Sequence, residues 1–327
     1  MKKTHFKSVI ILLLFTLFSG KITAQDFTKV DDVVKEYPNK FSSLDKFAEK
    51  VNTDFTRDDE KVRAIFTWIA LNVEYDIGKY GVNERPVGFS YRTEAEKLAK
   101  LKEMDEKLAT TTLKNKKAVC HGYSALFKII ANKVGLEAEI IPGTSKSHPS
   151  HVGAGPGARD HAWNAVKVGG EWKLLDVTWA AGTATGNPLR FEFRFNDAFF
   201  FTNPDTFFLN HFPDEKKWLL TNKTEKDFAN LPLYYGNYLS GGYELITPKY
   251  GTFKGVRNGV LSFKIKNISP QDTVAYVFSK ERIFKMVKPV FNDDVAEFEV
   301  EFNNSSIGVL TLYINRKSVL AYRINRG

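Results

Sequence analysis

Apolar positions recur at helical spacing through much of the first part of the chain and at alternating spacing in the last third, so two architectures follow one another. Leu44 to Val51 and Asp58 to Val73 read as helices. In the second, Val62, Ile65, Phe66 and Ile69 lie along one stripe, and Asp58 or Asp59 can cap its start. A Gly- and Pro-bearing loop leads to Phe89, and the charged stretch from Thr93 to Leu108 predicts a solvated surface helix. Tyr123, Leu126, Phe127, Ile130 and Val134 mark a buried helix that starts at or beside Cys120 and ends by Gly135. A short strand, Ala138 to Ile141, precedes a loop rich in Gly, Ser and His from Pro142 to Asp160. Beyond Leu231, Leu261, Phe263 and Ile265 alternate with polar residues, as do Ala296, Phe298, Val300 and Phe302. Val309 to Ile314 and Val319 to Ile324 flank the polar turn Asn315-Arg316-Lys317. Short strands broken by Gly, Asn and Asp predict a small antiparallel sandwich of immunoglobulin-like type.

Between these parts lies an informative hairpin. His161 to Val168 and Glu171 to Trp179 are joined by Gly169-Gly170, a pair suited to a two-residue turn with positive φ. If Val168 pairs with Glu171, Trp163 faces Asp176 and His161 faces Thr178. His161 and Asp176 then share a face as diagonal neighbours, with Cβ atoms under ~8 Å apart, close enough for an imidazole–carboxylate hydrogen bond.

The chain has one cysteine, Cys120, so it forms no internal disulfide, and an unpaired thiol in an exported protein is a candidate reactive group. Export is expected from the first residues. Lys2, Lys3 and Lys7 precede the apolar run Val9 to Phe18, and Ile22-Thr23-Ala24 reads as a cleavage site, the layout of a signal peptide over 1–24. That run falls short of the ~20 apolar residues of a membrane span, so no span is expected after cleavage. Removal of the leader takes four lysines and lowers the formal charge from +9 to +5. From Gly236 onward 13 Lys and Arg face 8 Asp and Glu, which reads either as a solvated face or as a surface for an anionic surface or polymer. No basic run interleaved with aromatics points to nucleic acid.

A cysteine at a helix start meets unpaired amides and the positive end of the helix dipole, which favour a thiolate and can donate to a developing oxyanion. Such a nucleophile needs a base, and the base needs a third group to orient it. Cys120, His161 and Asp176 supply the three in that order.

At these residues the sequence resembles the transglutaminase-like superfamily, from about Asp58 to Trp179. The resemblance runs through Lys61-Val62-Arg63-Ala64-Ile65-Phe66-Thr67-Trp68-Ile69, Val119-Cys120-His121-Gly122-Tyr123-Ser124, His161-Ala162-Trp163-Asn164 and Leu175-Asp176-Val177-Thr178-Trp179. It is most similar to the kyphoscoliosis-peptidase branch, through the further segments Phe201-Thr202-Asn203-Pro204, His211-Phe212-Pro213 and Trp218-Leu219-Leu220. The resemblance implies an α+β, papain-like core with an antiparallel sheet, and acyl chemistry through a Cys120 thioester without metal or organic cofactor. Animal transglutaminases hold the oxyanion with an upstream indole, whereas here no Trp lies between Trp68 and Cys120, so only the Cys120 amide is assigned to that task.

The expected organisation is a leader over 1–24, a transglutaminase-like domain over 25–235 and a β-sandwich over 236–327. The expected function is an exported, periplasmic or secreted enzyme acting on protein or peptide amides, with hydrolysis favoured over cross-linking. The alternative is a catalytically silent binding or assembly protein of the same fold. Trp163, Trp179 and His121 are candidates for the substrate cleft. His148 and His151 have ligand-like spacing, but with His121 and Cys120 they lack the second cysteine or carboxylate pair of a zinc set. His211 reads as an interdomain packing or turn residue, with a second catalytic histidine as the alternative.

Overall fold

The computed structural model describes residues 26–79, 88–254 and 259–325. The leader expected over 1–24 lies outside the described residues. Helices α1 (Thr28–Lys35), α2 (Leu44–Asp54) and α3 (Asp58–Asn72) lead, with a short strand β1 (Glu74–Tyr75), to α4 (Glu94–Asn115), β2 (Lys117–Ala118) and α5 (Cys120–Lys133). Ser43 and Thr93 accept from the amides of Lys46 and Glu96, capping α2 and α4. Helix α3 is buried without a break from Val62 to Ala70, so it runs through the core instead of along its surface. Arg63, buried within it, donates from Nε and Nη2 to the two carboxylate oxygens of Asp31 at 2.8 and 2.6 Å, tying α1 to α3 among the rings of Phe27, Phe66, Phe195 and Phe200.

The charged helix α4 extends past the expected Leu108, and its final turns bury Ala109, Thr112 and Leu113 against α5. Gly122 permits this approach. A Cβ there would stand 2.6 Å from Ala118 Cβ and 2.7 Å from Thr112 Oγ1.

The sheet comprises β3 (Ala138–Ser145), β4 (His161–Val168), β5 (Glu171–Leu175) and, after the small hairpin β6 (Gly182–Thr185) and β7 (Arg190–Phe193), β8 (His211–Pro213). Its order is β5-β4-β3-β8, antiparallel throughout. The Gly169-Gly170 turn has φ of 59° and 83°, and Val168 lies opposite Glu171.

Two local expectations are corrected here. The strand from Ala138 does not stop at Ile141. It continues to Ser145 because Gly143 admits both neighbours at close range, pairing with His161 on one side and Pro213 on the other. The second hairpin strand stops at Leu175 instead of Trp179. Asp176 turns the chain into helix α6 (Val177–Ala181) by accepting the Trp179 amide on Oδ1 at 3.0 Å, so Trp163 and His161 have no strand partners at Asp176 and Thr178.

The chain continues through α7 (Pro204–Phe207), α8 (Glu225–Asn230), β9 (Leu233–Tyr234) and α9 (Gly236–Ser240) into β10 (Glu244–Thr247), β11 (Thr252–Lys254), β12 (Gly259–Lys266), β13 (Val274–Phe278), β14 (Lys285–Val287), β15 (Val290–Asn292), β16 (Val295–Phe302), β17 (Gly308–Ile314) and β18 (Lys317–Asn325). These strands form two sheets, β10-β12-β16-β15 and β11-β18-β17-β13-β14, with β9 added on β18 and β11 running parallel to β18, so the expected antiparallel pattern holds except at that edge. Inward Phe263, Phe278, Phe298, Val300, Leu312 and Tyr322 fill its core. No helix among the described residues is long and apolar enough to cross a membrane.

Candidate active site

Extended backbone at Val119, with φ −95° and ψ 178°, leads straight into α5, so Cys120 is its first residue. No side chain caps this end, and the amides of Cys120 and His121 have no hydrogen-bond partner among the described residues. The half-buried thiol lines one cleft with His161, the first residue of β4. Nε2 of His161 lies 2.7 Å from Asp176 Oδ2, which leaves Nδ1 to serve the sulfur and assigns the tautomer through its partners. The α6 cap thus fixes the carboxylate: Oδ1 is held by the helix amide while Oδ2 faces the imidazole.

His161 is nearly buried, and Asp176 is wholly so. Burial alone would push the His161 pKa down, but the charge and hydrogen bond of Asp176, with the neighbouring Cys120, outweigh it and raise it to about 10. Burial acts on Asp176 in the opposite sense. His161 and then His211 overcome it and hold the carboxyl well below the usual carboxylate range.

His211 is the residue that reading the sequence misplaced. It sits on β8 opposite Ser145, and its Nε2 lies 3.0 Å from the same Asp176 Oδ2. Instead of packing between the two units, it joins the cluster because β8 adds to the far edge of β3. The only sequence signal was a histidine in the His211-Phe212-Pro213 segment, and no local spacing encodes a pairing with a strand 66 residues earlier.

Trp179 and His121 line a cleft together with Cys120 and His161. Trp179 stacks on the His161 ring at 5.2 Å between centroids, and His121, half exposed, stands 3.8 Å from Asp105. The cleft lining also includes Tyr235, just before α9, and Lys317, on β18 of the sandwich. Trp163 does not reach it. This indole is 1% exposed and packs with Ile141, Leu174 and Phe207 behind the histidines, because β8 and α7 cover its face of the sheet. His148 and His151 also stand away from the cleft lining. Their Nδ1 atoms accept from the amides of Ser150 and Ser147, and the adjoining Val152 is buried against Leu233 and Ala321.

His161, Asp176 and His211 are of metal-ligating type and lie together. Around an ion, ligands bound at ~2.0–2.1 Å stand well over 3 Å apart in tetrahedral geometry. Separations of 2.7 and 3.0 Å to one shared oxygen are those of charge-assisted hydrogen bonds, so the three groups are bonded to each other and do not fit an ion.

Residues 45–177 match the family model of the transglutaminase-like superfamily. Human kyphoscoliosis peptidase is 30% identical over 258 residues, which are 78% of this chain and 36% of that protein. Hillarin of Drosophila melanogaster is 26% identical over 262 residues, 72% of this chain and 28% of that protein. The chain therefore spans about a third of the length of these curated relatives. A solved TGase structure is 20% identical over 50% of this chain and 35% of its own, with a TM-score of 0.28, too low to bear on function.

Proposed function

Since residues 45–177 are a domain of the transglutaminase-like superfamily, we propose that the chain is a thiol-dependent acyl-transfer enzyme acting on protein or peptide amides, with hydrolysis favoured over cross-linking. The observation that carries this reading is His161, bonded to Asp176 at 2.7 Å, sharing a cleft with Cys120 at an uncapped helix start. In the reaction, the Cys120 thiolate adds to the amide carbonyl carbon, and the C–N bond breaks as the His161 imidazolium gives its proton to the departing amine. A thioester remains. Water then adds while His161 takes its proton, and the C–S bond breaks to release the acid and restore thiolate and imidazolium. The free amides of Cys120 and His121 support an oxyanion site at the helix start. Hydrolysis is favoured because water always competes for a thioester and no feature marks an amine site.

The leader-like residues 1–24 support export to the periplasm or beyond the cell. The basic sandwich, with exposed Lys280, Arg282 and Lys288, supports contact with an anionic surface or polymer.

The test is alkylation of Cys120 by iodoacetamide at pH 7 in the wild type and in His161→Ala, followed by incubation with casein with and without a primary amine. Alkylation that slows about tenfold or more without His161, with new casein termini in the wild type, supports the hydrolase. Amine incorporation moves the reading to cross-linking. A thiol indifferent to His161 leaves a binding or assembly protein of the same fold.

A further inference from the structure

His211 has no place in the two half-reactions above, yet it is fully buried and shares an oxygen with the group that orients the base. Its surroundings define its state. Phe207 stacks on it at 3.9 Å, Trp163 and Phe199 meet it edge-on, and Trp179 closes the fourth side at 4.6 Å. Two acceptors face it: Asp176 Oδ2, 3.0 Å from Nε2, and the Phe207 carbonyl, 3.2 Å from Nδ1. A neutral imidazole has one N–H to give. The charged acceptor at the shorter distance takes it, since a charge-assisted bond is about twice as strong as a neutral one.

We propose that His211 is a positioning residue of the acyl-transfer site, a neutral imidazole whose Nε2–H occupies the second lone pair of Asp176 Oδ2, fixing the carboxylate and limiting how firmly it grips the proton of His161. The proton that must pass to the leaving amine sits on Nδ1 of His161, and a carboxylate with no competing donor would hold the Nε2–H more tightly and leave Nδ1 too basic to release it. Asp176 and His161 are the electrostatic neighbours of His211, and Cys120 lies beyond His161. Just before β4, Asp160 is engaged by Ser145, and just after β3 the Lys146 amine turns away to the carbonyls of Phe228 and Leu231. Burial and the His161 charge both hold His211 below the ordinary histidine value, in keeping with a neutral ring.

The inference rests on the acyl-transfer reading, and the experiment separates the two. The full chain, labelled with 15N-histidine, is followed by NMR near neutral pH as wild type, His211→Phe and His211→Gln, with Cys120 alkylation measured on the same samples. The wild type should show His211 as the Nε2–H tautomer. In His211→Phe the His161 Nε2 proton should move downfield as its bond to Asp176 tightens, and the Gln amide should return it towards the wild-type position. A merely structural loosening would move that proton upfield and hasten its exchange. An Nδ1–H or doubly protonated His211 in the wild type overturns the proposal without any variant, as does a His161 proton that stays or moves upfield in His211→Phe. If Cys120 is inert in the wild type, the acyl-transfer reading fails whatever His211 does.

Discussion

Replacing Asp176 by Asn tests the centre of the site, because the two side chains have the same shape and differ in what they can accept. The carboxylate receives three donors: the Trp179 amide at 3.0 Å on Oδ1, and His161 and His211 at 2.7 and 3.0 Å on Oδ2. An amide has one oxygen. If it caps α6, its NH2 faces both imidazoles, and His161 is driven to the tautomer that cannot take a proton from the thiol. If the oxygen faces the imidazoles, the cap is lost at about 1 kcal/mol and two donors meet at Trp179. Hydrogen bonds to a charged group contribute about 1.5–3 kcal/mol each, while removal of the charge relieves part of its desolvation cost. We expect a net loss of about 2–4 kcal/mol near neutral pH. Cys120 alkylation should slow by about 10²-fold or more as the base loses its orientation.

The pH dependence sharpens this expectation. Asp176 is held below its ordinary range, so its contribution is present above the unfolded carboxyl value of ~3.9 and is lost as pH falls. His161 is raised to about 10, so its contribution is complete below the unfolded value of ~6.5 and is lost as pH climbs to about 10. The gap between wild type and Asp176→Asn should therefore be widest near pH ~5–6 and shrink towards both pH ~3 and pH ~9. Urea unfolding followed by tryptophan fluorescence reads it cleanly, since all 5 Trp lie at or before Trp218, outside the sandwich. A gap below about 0.5 kcal/mol, or one that does not vary with pH, would refute the account of Asp176 as a buried charge shared by two imidazoles.

Two further perturbations probe what places the site. Arg63→Lys keeps the charge but loses the paired contact with Asp31 inside the aromatic nest, and should lower stability by about 2–3 kcal/mol in the same urea assay, with Arg63→Ala costing about 3–5. Gly143→Ala would set a Cβ 2.3 Å from the Phe212 carbonyl and 2.5 Å from the Trp163 ring, so β8 must move off β3; stability should fall by more than about 3 kcal/mol, and the His211 signals should lose their dependence on Asp176.

What the sequence disclosed and what it withheld follow the range of the interactions concerned. The start of α5 at Cys120 was legible because a helix prints its period on the chain. The pairing of Val168 with Glu171 was legible because Gly169-Gly170 fixes a two-residue turn. Both are local. The register placed His161 and Asp176 near each other for a reason that held only in part, since the strand ends at Leu175 and a cap delivers the carboxylate. Asp competes with strand pairing by bonding its own backbone three residues on, and alternation of Leu175, Val177 and Trp179 concealed that competition. Trp163 shows the reverse failure: its parity with His161 was sound, but whether that face meets solvent depends on β8 and α7, which the hairpin cannot anticipate. His211 arrives by the same strand. The two misplacements therefore have one cause, a three-residue strand docking on β3 from far along the chain, and that strand encloses Asp176 between two histidines instead of leaving it open to water. A carboxylate so enclosed can stay charged only while its donors remain, which is why the stability of this core and the reactivity of Cys120 should rise and fall together when any of the three is changed.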